Sequence, residues 1–373
     1  MPNIIDLFAG AGGLSLGAAR AGFKVVGAVE NDKYAFAAHK KNFPTSKHSN
    51  EDVASLNGKQ LFEFAGLKKG ALDGLIGGPP CQGFSNIGHR KADDDRNELF
   101  FHFFRLVKET RAKFFLAENV PGILDERYDT LRDKALKLIK KDYIILPPLR
   151  IIASDYGAPT IRKRIFFIGY LSKYFSDLYE ESFASPKNIS PVYVQDALKG
   201  LPIEIDPDWQ SEENGWRQIE KRESDCYAER ITKHIPDGVG DVRSIDRYES
   251  KNEVSGCLGT RHTPEVLKRY EALGPGKRDK ISKAVKLDPT GFCPTLRAGT
   301  DITRGKYQAV RPIHHLKPRV ITPREGARLQ GFPDWFHFDR TKWHSFRQIG
   351  NSVSPLVSES LLKTIIDHLR EAD

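Results

Sequence analysis

The stretch NIIDLFAGAGGLSLG, residues 3–17, decides the fold. Its first six residues, NIIDLF, form an apolar run of strand length, AGAGG then places glycines at 10, 12 and 13, and a helical pattern follows over 14–21. Glycine lets the backbone turn sharply there and leaves room for a ligand against the helix N-terminus. A dinucleotide fingerprint would need glycine where Ser15 stands, so a pyrophosphate cradle is disfavoured. KVVGAVE, residues 24–30, predicts the next strand, and Glu30 at its end follows Gly10 by 20 residues. In a doubly wound fold an acid at that place reaches the two hydroxyls of a ribose. Turn and acid together suit a nucleoside cofactor without phosphates; taken alone, they also fit a plain strand–helix turn with a solvated acid.

Outward from this stretch the pattern repeats. A helix is expected near 32–41, a strand just before Gly77, a helix near 97–110, a strand at KFFLAEN, and further strands in YIILPPLRIIA and RIFFIGYL (164–171). Strands alternating with helices predict a Rossmann-like α/β fold, a doubly wound and mostly parallel sheet. After about residue 185 prolines, glycines and charges cluster, and no strand–helix alternation can be traced to about 318. Definite character returns with RVITPREGARLQGFPDWF, and the chain closes on QIGNSVSPLVSESLLKTIIDHL, where Leu361, Leu362, Ile365, Ile366 and Leu369 recur at helical spacing. We expect a first unit over 1–185, completed by a terminal helix within 343–373, and a smaller irregular unit over 186–342.

The 373 residues suffice for a large core, and 39% hydrophobic residues argue against disorder. No run of about 18 apolar residues and no basic-then-apolar leader occurs, which points to a cytoplasmic protein without a membrane partner. Four scattered cysteines, Cys81, Cys226, Cys257 and Cys293, contain no C-x-x-C pair, which argues against a zinc site or a disulfide framework, and no metal is expected. The formal charge of +9 favours an anionic partner. It is unevenly spread: residues 201–250 hold 7 Lys/Arg against 13 Asp/Glu, whereas residues 251–320 hold 15 against 6, so the second segment could face phosphates.

Three features carry chemistry. In GGPPCQGFS, residues 77–85, Cys81 follows Pro79 and Pro80 at a strand end, where open sheets bind ligands. A thiol is a nucleophile only as its thiolate, and free cysteines are mostly packing residues, yet the proline and glycine brackets look built to present one side chain. In AENV, Glu118 ends an apolar strand, where a carboxylate is costly unless paired; a ligand-facing acid and a turn carboxylate both fit. In TIRKRIFFIG, Arg162 and Arg164 alternate and so share a face, which suits a phosphate and a carbonyl, or plain surface charge.

These pieces occur in one order, and the chain resembles the DNA cytosine methyltransferases that modify carbon 5, over nearly its whole length. DLFAGAGGLSLG is similar to the family's cofactor loop, GGPPCQGFS to its nucleophile motif, ENV to its acid motif and RKRIF to its arginine motif. ITPREGARLQGFP resembles the segment before the last helix, and GNSVSP the final cofactor contact. The region between the arginine and TPRE motifs, with the weaker echo CPTLRAG, corresponds to the variable target-recognition region. One departure is Thr160, where the family commonly has glutamine.

The resemblance implies transfer of a methyl group from S-adenosylmethionine to carbon 5 of a flipped-out cytosine in double-stranded DNA. Cys81 would add to carbon 6, Glu118 would hold ring nitrogen 3 and the amine, Arg164 the carbonyl, and Arg162 the loop or a phosphate. It also implies cofactor contacts from Asp6, Phe8, Gly10, Gly12, Gly13, Glu30, Asn31, Asp52, Val53, Pro80, Leu99, Asn351 and Val353; Asp52, beside Glu51, fits a helix cap equally. SNIGHRKADDDRN, residues 85–97, has the composition of a loop that closes over the base. Arg261, Arg297 and Arg304 are candidates for DNA contact. The compact length leads us to expect the protective half of a bacterial restriction–modification pair, a monomer without an obligate protein partner. The alternative in the same fold is a transfer-RNA cytosine methyltransferase.

Overall fold

A computed structural model describes residues 1–80, 98–211, 213, 215–220, 227–299 and 310–370. The expected alternation is present: β1 Asn3–Leu7, α1 Gly13–Arg20, β2 Lys24–Val29, α2 Lys33–Asn42, β3 Lys47–Ser49, α3 Gly58–Ala65, β4 Gly74–Gly77, α4 Glu98–Thr110, β5 Phe114–Asn119 and α5 Asp129–Lys137. Then follow β6 Ile144–Ile145, β7 Leu149–Ile152 and β8 Lys163–Tyr170. The sheet runs β3-β2-β1-β4-β5-β8-β6, with β7 beside β8. β1 to β5 pair in parallel, and β8 runs antiparallel to β5, β6 and β7. The reversal between β7 and β8 follows from their connection. It spans only residues 153–162, a single 3-10 turn followed by Gly157 at φ +81°, and a parallel return needs a crossover of about a dozen residues or more.

Because strand side chains alternate, each strand feeds two cores. Ile5, Leu7, Leu75, Phe115, Ala117 and Phe167 pack with α3 and α4 on one face. Ile4, Ile76, Phe114, Leu116, Phe166 and Ile168 pack on the other with α1 and the terminal helix. Asp6, Glu118 and Arg164 continue this second register, so three polar side chains occupy one face near one end of the central strands.

Beyond β8 the elements are short: α6 Val194–Leu198, β9 Arg217–Gln218, α7 Tyr227–Thr232, α8 Val242–Lys251, β10 Glu253–Val254 and α9 Pro264–Glu271. The chain ends in α10 Pro323–Leu329, α11 Lys342–Asn351 and α12 Pro355–His368. α12 lies against α1, where Gly17 permits the approach: a Cβ there would stand 2.0 Å from Ser358 Oγ. Its stripe faces as the spacing predicts, with Leu361, Leu362 and Ile365 buried and Ile366 and Leu369 packed at the edge. Val194, Tyr227, Trp335 and Phe346 share one buried cluster with Leu14 and Phe23, while Tyr270, Ala284 and Ile313 form a small cluster of their own. No helix among the described residues is long and apolar enough to cross a membrane.

Candidate active site

The turn after β1 is held in backbone conformations that few residues tolerate. Phe8, Gly10 and Gly12 have φ of +58°, +58° and +105°. A bulky aromatic in the left-handed region is a true outlier and a pointer to function, and nothing in the residue order announces it. Gly12 and Gly13 are spaces that a side chain would fill: an added Cβ would stand 2.4 Å from Phe43 Cε2 at Gly12 and 2.3 Å from the Val353 carbonyl at Gly13. Gly10 differs, since a Cβ there would meet nothing within 4 Å. That open side of Gly10 is where a ligand can approach the backbone.

Glu30 borders this space. Its carboxylate accepts the Gly10 N–H at 2.8 Å and the Asp32 N–H at 2.7 Å, tying the β1 turn to the end of β2, and burial raises its pKa. Asp32 in turn caps α2 through Tyr34 and Ala35 N–H and pairs with Arg347 of α11 at 2.8 Å. Asp6 lies beneath the turn, fully buried. Ser15 donates to it at 2.7 Å, His39 meets Ser15 at 3.0 Å, and His48 meets His39 at 2.9 Å. Burial, reinforced by the Glu30 charge, pushes the Asp6 carboxyl up to about 7. This relay escaped sequence reasoning because its members come from β1, α1, α2 and β3.

The other expected cofactor residues gather less uniformly. Val53 and Val353 are buried, Leu99 and Pro80 are half-buried, and Asn31 and Asn351 are exposed at the ends of β2 and α11. Asp52 is exposed and its carboxylate accepts the Ala54 N–H at 2.9 Å, closing a turn, while the helix that follows, α3, is capped by Asn57.

At the far end of β5, Glu118 is 8% exposed and ion-pairs with the Arg164 guanidinium. The antiparallel β5–β8 register creates the pair, placing Glu118 opposite Phe166 and Arg164 just past the last paired residues. Gly78, one residue beyond β4, is close enough that a Cβ there would come 3.1 Å from Glu118 Oε2. The next residue, Pro79, accepts a bond from Asn119 Nδ2 at 3.3 Å, which fixes the chain's path toward Cys81. Cys81, Cys226, Arg304 and the segment 85–97 lie outside the described residues. Both described cysteines are buried and held protonated, Cys257 with a pKa pushed up to about 12 by burial and Cys293 raised by the same cause.

Arg162 is 2% exposed and donates to the carbonyls of Leu296 at 3.0 Å and Gly350 at 2.8 Å, so it fixes chain, and with Arg164 it lines a small cavity beside Phe166 and Val353. Thr160 is fully buried, and its hydroxyl makes no hydrogen bond among the described residues. Arg261 is exposed and paired with Asp208, and Arg297 is exposed.

A family model described as C-5 cytosine-specific DNA methylase matches residues 2–367. The Type II methyltransferase M.XorII of Xanthomonas oryzae is 39% identical over 99% of this chain and 86% of its own length. M.DdeI of Desulfomicrobium norvegicum, another Type II methyltransferase, is 32% identical over 97% of this chain and 88% of its own. Among solved structures, a prophage-encoded E. coli protein assigned as a DNA modification methyltransferase superposes with a TM-score of 0.88 and 52% identity, covering 99% of both chains. The S. pombe Dnmt2 methyltransferase shares the fold, with a TM-score of 0.64 at 15% identity over 98% of this chain and 99% of its own. The glycine turn, the β5 carboxylate with its β8 arginine, and these likenesses agree: the chain belongs to the C-5 cytosine-specific DNA methylase family and is a DNA cytosine-5 methyltransferase.

Proposed function

We propose that this enzyme methylates carbon 5 of a cytosine flipped out of duplex DNA, through a covalent adduct of Cys81 at carbon 6. We further propose that it is a cytoplasmic Type II enzyme protecting DNA from a partner endonuclease, and that it acts as a monomer. The observation that carries the chemistry is the Glu118–Arg164 pair, a buried acid and a half-buried cation beside the strand end that leads to Cys81.

The residues fit S-adenosylmethionine. Gly10 offers open space, Glu30 holds a half-buried carboxylate at the ribose position, and Phe8 is kept in a strained conformation beside both. Phe8, Gly10, Gly12, Gly13, Glu30, Asn31, Val53, Pro80, Leu99, Asn351 and Val353 would hold it, with Asp6 supporting the turn from beneath. Bound there, it supplies an electrophilic methyl group.

Carbon 5 of cytosine is a weak nucleophile because the ring is electron-poor. Addition of the Cys81 thiolate to carbon 6 converts carbons 4 and 5 into an enamine, which makes carbon 5 the nucleophile. Glu118 holds ring nitrogen 3 and the exocyclic amine as charge develops, and Arg164 holds both Glu118 and the base carbonyl. Loss of the carbon 5 proton then re-forms the double bond and expels Cys81. Arg162 keeps the Leu296 and Gly350 segments against β8 while this proceeds. Residues 186–342 are assigned to reading the DNA.

Duplex DNA carrying 5-fluorocytosine in the methylated site tests the adduct, because fluorine blocks the final elimination. The covalent complex is expected to map to Cys81 and to vanish in Cys81→Ser, while that variant still binds DNA. Trapping at Cys226, or full turnover by Cys81→Ser, would refute the assignment.

A further inference from the structure

Residues 276–286 form a small hairpin that no sequence motif announces. Gly276 N–H donates to the Lys286 carbonyl at 2.9 Å, Lys286 N–H to Lys277 at 2.9 Å, and Asp279 N–H to Ala284 at 2.7 Å. Its tip is held from within. Asp279, 3% exposed, accepts the Arg269 guanidinium at 3.1 Å and the Ser282 N–H at 2.6 Å, and Ser282 accepts the Tyr270 hydroxyl at 3.1 Å. The hairpin's one carboxylate is thereby neutralised inside. Beneath it lies the separate cluster of Tyr270, Ala284 and Ile313, a foundation for a rigid projection.

What the hairpin shows to solvent is cationic. Lys277, Arg278 and Lys280 are exposed and form no ion pair among the described residues, Lys283 folds its ammonium onto the Lys280 carbonyl, and Ile281 stands 71% exposed at the apex. The carboxylates of the adjoining helix, Glu265 and Glu271 on α9, are both exposed and leave the 264–286 segment with 7 Lys/Arg against 3 Asp/Glu. The hairpin is rooted near the chemistry, because Cys293 pairs with Thr160, two residues before Arg162. Seven residues lie between Val285 and Cys293, a reach of at most about 29 Å, which is about eight base pairs along a duplex.

We propose that this hairpin grips the phosphate backbone of duplex DNA beside the methylated site, through Lys277, Arg278 and Lys280. It rests on the reading of the enzyme as acting on duplex DNA, and it replaces Arg261, whose charge is already engaged by Asp208. Phosphate contacts carry no sequence information, so the hairpin sets affinity and register and leaves the choice of site unchanged.

The test is the salt dependence of binding to a fluorescent duplex of about 30 base pairs, for the full chain and for K277Q/R278Q/K280Q. Each phosphate contact contributes about 0.9 to the slope of log affinity against log salt, so loss of three lowers the slope by up to about 2.7. Between 50 and 200 mM salt the wild-type chain would then lose roughly 40-fold more affinity than the variant. The melting temperature, S-adenosylhomocysteine binding and the bisulfite-mapped site should stay as in the wild type. Ile281→Asp, which sets a negative charge at the apex and leaves the cations in place, should weaken binding in the same direction. A slope change smaller than one contact, about 0.9, overturns the proposal, as does a slope change seen with structured RNA and absent with duplex DNA. If the wild-type chain neither methylates nor binds duplex DNA, the parent reading fails. If it does both and the variant's slope is unaltered, only the hairpin assignment fails.

Discussion

Gly13→Ala tests whether the cofactor cleft is one packed unit. Its Cβ would lie 2.3 Å from the Val353 carbonyl oxygen and 3.2 Å from Ser352 Cβ, and the first of these is backbone that no rotamer change can clear. To restore even a tight contact of 3.0 Å, the N-terminus of α1 and the 352–353 turn must separate by about 0.7 Å. Overpacking of this kind costs about 1–3 kcal/mol, a loss of several degrees in melting temperature at most. The same separation moves two walls of the cleft, and a loss of about 1.4 kcal/mol in ligand contacts is tenfold in affinity. Gly10→Ala is the comparison. It meets no atom within 4 Å but sits at φ +58°, so it costs about 1–2 kcal/mol from backbone strain alone and projects its methyl into the ligand space. Calorimetric titration with S-adenosylhomocysteine, alongside thermal melts of the ligand-free chain, reads both effects. We expect Gly13→Ala to bind at least tenfold more weakly and to melt lower than the wild type. Wild-type affinity and melting in Gly13→Ala would refute the packing argument.

Asp6→Asn should flatten the pH dependence of stability. The folded-state pKa of about 7 exceeds the ordinary aspartate value of 3.8, so between those values the folded chain binds more protons than the unfolded one, and stability falls as pH rises through that window. The effect is about 4 kcal/mol at most, and urea midpoints at pH 5 and 7.5 should draw together in the variant; an unchanged difference refutes it. The two arginines should separate cleanly. Arg162→Met strips the donors from two buried carbonyls and should destabilise the chain by about 2–4 kcal/mol, whereas Arg164→Met should keep S-adenosylhomocysteine binding and lose at least about a hundredfold in methyl transfer. Because Arg164→Met also leaves the Glu118 carboxylate unpaired, the division is read in activity, and wild-type methyl transfer by Arg164→Met would contradict it.

The readable parts of the sequence are those whose physics is local. The turn at residues 8–13 declares itself because strand, glycines and helix are contiguous, and the α12 stripe because its period is 3.6. β3, the three polar residues Lys47–Ser49, has no apolar pattern and exists through parallel pairing with β2. Arg162 and Arg164 look equivalent from two positions apart on one strand. Their fates diverge because Arg162 finds carbonyls 134 and 188 residues away, which no local pattern encodes. The hairpin at 276–286 is hidden for a related reason: it is built from isolated bridges and a buried aspartate, without strand alternation.

The turn at residues 350–353 explains why the last cofactor motif stands so far along the chain from the first. β8 reaches it through Arg162 to the Gly350 carbonyl, α10 through Gln330 Nε2 to Ser352 at 2.9 Å, and α1 through the close approach of Gly13 to Val353. α11, just before it, reaches α2 through Gln348 to the Tyr34 carbonyl at 3.0 Å and through the Arg347–Asp32 pair. These ties are unequal. The Arg347 and Asp32 side chains are 34% and 27% exposed, and such a pair is worth about 1 kcal/mol or less, whereas the Arg162 bonds are buried and leave orphaned carbonyls if broken. The buried Arg162 bond therefore joins the turn to the residue just before β8, the strand that carries Arg164 toward Glu118. A shift of the 350–353 backbone would thus be passed toward Arg164 as well as toward Gly13, which on the proposed reading couples the base and cofactor halves of the site without any dedicated relay between them.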